Sequence, residues 1–242
     1  MKAMVFAAGL GTRLRPLTDD RPKALVTLGG RTLLEITLAR LRSFGVGEAI
    51  VNVHHFADQV VEYLAANRSL GMRIEVSREE TLLDTGGGLK RAAWFFDGPD
   101  EPFLVHNVDV LSTIDLARMI EFHRQHHPLA TLAVEQRPTS RPLLFNAEGQ
   151  LLGRAAISGE NEGPAELNAL AFAGIHVVSP RIFAKLDEEG AFSIVDAYVR
   201  LAKQNETILG FRAGGAYWRD LGRPENLIEA ERDLAEGRYG AT

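Results

Sequence analysis

The chain has 242 residues, 45% hydrophobic and 24% charged, which suits one large folded unit or one with a small lobe. A net charge of −5 gives no general attraction to nucleic acid, and the absence of cysteine excludes disulfides and cysteine–zinc centres. No apolar run reaches the ~18 residues of a spanning helix, and the short apolar start after Lys2 does not read as a secretion signal, so no membrane partner and a cytoplasmic location are expected.

The first half alternates short apolar runs with helical patterns. Strands are predicted over residues 3–8, 49–53, 73–77, 102–106 and 130–135, and helices over 33–44, 57–66, 88–96 and 114–123. This rhythm predicts an α/β fold with a mainly parallel sheet covered on both faces, where ligands bind beyond the carboxyl ends of the strands. After residue 135 the pattern changes. Residues 143–146 and 150–154, joined around Glu148-Gly149, read as a hairpin, and 158–166 as an exposed loop. A long strand over 169–178 ends at Pro180, a strand-like run covers 208–212, and helices are predicted over 194–204 and 225–236. No linker or repeat separates a second domain.

The first predicted strand ends in Ala7-Ala8-Gly9-Leu10-Gly11-Thr12-Arg13-Leu14-Arg15-Pro16, with Lys23 soon after. Glycines let a backbone turn sharply and approach a ligand, and the N–H groups of such a turn form an anion-binding concavity. Arg13, Arg15 and Lys23 add full positive charge, so the segment reads as a polyphosphate site. It is not a P-loop, because Gly-x-x-x-x-Gly-Lys-Ser/Thr is absent. Nor is it a dinucleotide turn, because Leu14 stands where the third glycine belongs and Pro16 interrupts a helix.

Three further constellations stand out. Asn107-Val108-Asp109 follows an apolar strand, where an aspartate serves either as a hard oxygen ligand for a metal or as a helix cap. Asp84-Thr85-Gly86-Gly87-Gly88 offers bare backbone to a flat base, or simply turns the chain into a helix. Trp218-Arg219-Asp220-Leu221-Gly222 holds a second carboxylate beside a tryptophan that packing alone would explain. His123, His126 and His127 share a helical face, but no carboxylate set accompanies them, and they read as a fraying helix end. His54 and His55 fit either a loop or a cleft.

The run from Phe6 to Leu25 resembles the signature of the sugar-1-phosphate nucleotidyltransferases, Leu-Ala-Ala-Gly-x-Gly-Thr-Arg-Leu-x-Pro-Leu-Thr-x-x-x-Pro-Lys-x-Leu. Only Phe6 departs from it, at the leucine. The glycine triplet after Asp84 looks like that of the short uridylyltransferases acting on N-acetylmuramate 1-phosphate, whose form is Glu-Thr-Gly-Gly-Gly. Val108 and Arg223 depart from the family's usual glycine and threonine, which leaves open a binding module without transfer activity.

The resemblance implies a Rossmann-like nucleotide-diphospho-sugar transferase fold. It would be a single domain over 1–242, with a nucleotide-binding part to about 135 and a small sugar-binding lobe over about 136–242. The implied reaction transfers a nucleoside monophosphate from a nucleoside triphosphate to a sugar 1-phosphate and releases pyrophosphate, in the service of cell-wall precursor recycling if the sugar is N-acetylmuramate. The glycine arrangement favours uracil, with guanylyl or thymidylyl transfer to a hexose 1-phosphate as alternatives.

By the same resemblance, Arg13 and Lys23 are catalytic, and Asp109 and Asp220 hold Mg²⁺. Ala7, Ala8, Gly9, Gly11, Thr12, Arg13, Lys23, Asp84, Gly86, Gly87 and Asn107 contact the nucleotide. Glu166, Asn168, Gly174 and Arg219 are expected on the sugar side. The lysine of the family's Glu-Lys-Pro, which grips the sugar phosphate, has only the loose echo Glu135-Gln136-Arg137-Pro138, leaving Arg137, Arg141 or Arg219 for that task.

Overall fold

A computed structural model describes residues 1–67, 71–155 and 167–239. The first half runs β1 (Lys2–Phe6), β2 (Thr27–Leu28), β3 (Arg31–Thr32), α1 (Leu33–Ser43), β4 (Glu48–Val53), α2 (Ala57–Ala66), β5 (Arg73–Arg78), α3 (Asp84–Arg91), β6 (Phe103–Asn107), β7 (Val110–Ser112), α4 (Leu116–His126) and β8 (Ala130–Glu135). The second runs β9 (Leu143–Phe145), β10 (Leu151–Arg154), β11 (Asn168–Val178), α5 (Ile194–Lys203), β12 (Ile208–Arg212), β13 (Trp218–Asp220) and α6 (Pro224–Ala235). The predicted loop over 158–166 lies outside the described residues.

The strands form one nine-stranded mixed sheet in the order β10-β9-β11-β6-β1-β4-β5, with β8 also beside β11 and β12 beyond it. β1 pairs in parallel with β4 and β6, and β4 with β5. β11 runs antiparallel to both β6 and β8 and joins the two halves. β12 is again parallel to β8. Alternate residues of β1 feed opposite faces: Ala3 and Val5 join a core with α1, α2, α4 and α6, while Met4 and Phe6 join one with α3 and α5. Burial on both faces explains why the central strands read as continuous apolar runs.

Local signals set the helix ends. Thr32 caps α1 by accepting from the Glu35 N–H, Asp115 caps α4 through the Arg118 N–H, and Pro224 opens α6. The cap at Asp115 starts α4 two residues later than the pattern predicts. The largest departure is α3. It begins at Asp84, includes all three glycines, and ends at Arg91, with a 3₁₀ turn over Ala93–Phe96. Packing overrides the poor helix propensity of glycine here. A Cβ on Gly86 would strike the Phe192 ring, and one on Gly87 would strike the Gly190 carbonyl oxygen. The helix runs on past His123 to His126, and His123 is buried between the Thr131 and Ser179 hydroxyls, where burial lowers its pKa to about 4.

Candidate active site

The carboxyl ends of β1, β4 and β6 open into a cleft of ≈ 330 Å³. Ala8 and Gly9 of the glycine loop, Lys23, Asp84, Asn107 and Asp109 are among its lining residues. The loop is clamped on itself: the Thr18 hydroxyl donates to the Gly11 carbonyl at 2.8 Å. Gly11 sits at φ +67°, and a Cβ there would approach Thr18 Cγ2 to 2.9 Å, so both conformation and space require glycine. Thr12 and Arg13 continue as an exposed 3₁₀ turn.

Lys23 crosses the loop to Asp109. Its Nζ lies 3.7 Å from where a Gly9 Cβ would stand and 2.7 Å from Asp109 Oδ2. Val108 meets the need met by glycine elsewhere without strain. Its φ is not positive, its side chain is buried, and its N–H donates to the Phe6 carbonyl at 3.1 Å. Asp109 therefore stays at the cleft mouth.

The second carboxylate comes from the far end of the chain. The three-residue strand β13 pairs antiparallel with β7, setting Asp220 opposite Val110, and the Leu221 N–H donates to the Asp109 carbonyl at 2.7 Å. A Cβ on Gly222 would lie 2.7 Å from Asp220 Oδ1, 2.8 Å from Arg13 Nη2 and 3.3 Å from Asp109 Oδ2. Two carboxylates and a guanidinium thus surround one glycine. Among the described residues no group of three or more acidic, histidine or cysteine side chains could hold a metal, so a cation here would rest on these two aspartates and on ligand oxygens. Hard oxygen donors in that number suit Mg²⁺, which is commonly bound by one or two carboxylates together with substrate phosphates.

Several expected contacts are redirected. The Ala7 N–H faces inward and donates to Asn52 Oδ1 at 2.8 Å. Gly86 and Gly87 do not present bare backbone to the cleft. The Gly86 N–H donates to the Phe192 carbonyl at 2.8 Å, and Asp84 and Thr85 line the cleft in the glycines' place. Asp84 itself has φ 56° and accepts from the Thr85 N–H. Gly174, at φ +76°, lets β11 approach Asn107 Nδ2 to 2.9 Å of its missing Cβ, so its lack of a side chain is explained by packing. Asn168 accepts from Arg212 at 2.7 Å, and Glu166 lies outside the described residues.

Arg219 is engaged by the protein itself. Alternation along β13 sends Trp218 and Asp220 to one face and Arg219 to the other. There it bonds Asp233, Glu229 and the Tyr217 hydroxyl. It ties β13 to α6. Burial works against its charge, but Tyr217 and Asp233 outweigh burial and raise its pKa.

Sequence reasoning missed two groups. Asn52, which lines the cleft, and Glu79 are 2% and 5% exposed. Asn52 Nδ2 donates to Glu79 Oε1 at 2.6 Å, and Glu79 Oε2 accepts from the Leu83 N–H at 3.0 Å. With the Ala7 contact, one buried chain of hydrogen bonds joins the glycine loop to the start of α3. A Cβ on Gly88 would sit 2.7 Å from both Asn52 Nδ2 and Glu79 Oε1, which accounts for the third glycine. The lone asparagine in the apolar run 49–53 was the available signal. The second group is the segment before α5, where Ala191 lines the cleft and the Ile194 N–H donates to the Thr85 hydroxyl at 3.0 Å.

Comparisons with known proteins show the family and the fold. The Nucleotidyl transferase family matches residues 2–237. N-acetylmuramate alpha-1-phosphate uridylyltransferases of Caulobacter vibrioides and Neisseria meningitidis are 35% and 31% identical, over 97% and 96% of this chain and 97% of each relative. A probable mannose-1-phosphate guanylyltransferase of Oryza sativa is 28% identical over 96% of this chain and 64% of its own length. The fold matches that of a UDP-glucose pyrophosphorylase solved with UDP-glucose, at a TM-score of 0.82 and 19% identity over 98% of this chain and 99% of that one. The resemblance read in the opening loop therefore holds, and the chain belongs to the nucleotidyl transferase family.

Proposed function

We propose that this protein transfers a uridylyl group from UTP to a sugar 1-phosphate, N-acetylmuramate 1-phosphate before others, and releases pyrophosphate. The observation that carries the reading is the convergence of Asp109, Asp220, Arg13 and Lys23 at the mouth of the glycine-loop cleft. The choice of uracil and of N-acetylmuramate rests on the two uridylyltransferase relatives and on Asp84-Thr85-Gly86-Gly87-Gly88.

An acceptor phosphate oxygen attacks the α-phosphorus of UTP. The new O–P bond forms as the bond from the α-phosphorus to the bridging oxygen breaks, and that electron pair leaves on pyrophosphate. The attacking oxygen is already anionic, so no general base is required. The barrier is charge repulsion and alignment, and catalysis is electrostatic. Lys23 and Arg13 offset charge on the α-phosphate and the departing pyrophosphate, and the loop N–H groups orient the triphosphate. Mg²⁺ held by Asp109 and Asp220 would supply further charge neutralisation between the two phosphates.

The test is a matrix of four nucleoside triphosphates against N-acetylmuramate, N-acetylglucosamine, glucose and mannose 1-phosphates, scored by pyrophosphate release with Mg²⁺. The fastest pair is expected to be UTP with N-acetylmuramate 1-phosphate. A fastest pair of GTP with mannose 1-phosphate would replace this reading by that of the guanylyltransferase relatives. No release in any pair would leave a binding module.

A further inference from the structure

The proposed reaction brings a dianionic acceptor phosphate up to a triphosphate and two carboxylates. Arg13 and Lys23 belong to the glycine loop and the segment after it, on the donor side. The acceptor needs its own cation from the second half of the chain, which lacks the Glu-Lys-Pro lysine. Arg219 is bound to α6, Arg212 donates to Asn168, and Arg141 is exposed beyond β8.

Arg137 is placed differently. Its guanidinium lies 3.7 Å over the Trp218 ring, and its Nη2 donates to the Phe172 carbonyl at 2.8 Å. Trp218 is itself fixed by its indole N–H, which donates to the Ala173 carbonyl at 2.8 Å. Trp218 and Asp220 share one face of β13, and side chains two residues apart on a strand are separated by about 6.6 Å. The Asp220 carboxylate, on the same face of β13 as Trp218, is near enough to act electrostatically on the guanidinium. Its buried Nε has no hydrogen-bond partner, and neither does the buried Oε1 of Glu135, whose other oxygen is 3.9 Å from that Nε. Most buried polar groups in folded proteins have a protein or water partner, so the unpaired Nε leaves hydrogen-bonding capacity at this guanidinium. Burial lowers the pKa of Arg137 from its ordinary value, and Glu135 and Asp220 oppose that loss of charge.

We propose that Arg137, stacked on Trp218, is the residue that receives the phosphate of the acceptor sugar, a role that rests on the transfer reaction proposed above. The planar guanidinium is already oriented, and it offers a phosphate a forked pair of donors. It does so from just past the carboxyl end of β8.

The test compares wild type with Arg137→Met, which keeps a long side chain on Trp218, and with Arg137→Lys. Affinity for N-acetylmuramate 1-phosphate is followed by ³¹P titration with a non-hydrolysable UTP analogue present, and UTP affinity is measured separately. Arg137→Met is expected to weaken acceptor binding about 10- to 100-fold, the loss of a charged hydrogen bond. UTP affinity and melting temperature should stay close to wild type, with Arg137→Lys in between. Unchanged acceptor binding in Arg137→Met, equal loss of UTP and acceptor binding, or no acceptor binding by wild type would each overturn the assignment. A wild type that binds the acceptor through Arg137 yet releases no pyrophosphate would overturn the reaction and leave the phosphate site standing.

Discussion

The donor wall around the glycine-loop cleft and the acceptor wall proposed around Arg137 are built by different means. On the donor wall, backbone and buried side chains interlock: Ala7, Asn52, Glu79 and Leu83 form one chain of hydrogen bonds, and α3 is bonded to the segment before α5. On the proposed acceptor wall, Arg137 stacks on Trp218 and the exposed Arg212 reaches Asn168. The donor wall is tied together by buried hydrogen bonds, whereas the acceptor wall is made of stacked and exposed side chains.

This contrast can be broken first at Glu79. Removing its carboxylate in Glu79→Ala strands the buried Asn52 amide and the Leu83 N–H, at about 1–3 kcal/mol for each unsatisfied group. The expected result is a lower melting temperature together with weaker UTP binding, and partial recovery in Glu79→Gln. On the exposed acceptor wall, Arg212→Ala should change stability by no more than about 0.5 kcal/mol. Equal stability of the two variants in denaturant titrations would remove the difference between the walls.

A smaller effect sharpens the seam between the walls. His106 on β6 and His176 on β11 are fully buried with unpartnered Nε2 atoms, and burial lowers their pKa values to about 4 and about 3. The unfolded chain binds these protons near pH 6.5 while the folded chain does not. Stability from the neutral rings is therefore complete above pH 6.5 and falls as pH drops toward 4. Calorimetry should show the melting temperature declining across that window. A flat or rising profile would mean that the seam does not bury neutral rings.

The same contrast explains what the sequence made legible. The donor loop is contiguous, so Gly9, Gly11, Arg13 and Lys23 declare themselves by spacing. Asp220 was legible only through resemblance, because a three-residue strand carries little pattern and its partner β7 lies far away in sequence. The partners of Arg219 were illegible because the face of β13 it occupies depends on that pairing. Sequence left the glycine triplet open between base contact and a turn into a helix, and its close fit to Phe192, Gly190, Asn52 and Glu79 needed the fold. Glu79 was illegible because a buried glutamate between exposed neighbours looks like surface until its partners are placed.

The central claim is that Asp109 and Asp220, brought together around Gly222, act on the reaction as one unit. It is tested most directly by kcat/KM for pyrophosphate release in wild type, Asp109→Asn, Asp220→Asn and the double variant. Each single change should cost about 10²- to 10³-fold, as expected when a charge that stabilises the transition state is lost. The double variant should be scarcely worse than either single one, because groups that act together lose their effect together. Losses that multiply in the double variant, or near-normal turnover in either single variant, would contradict the account.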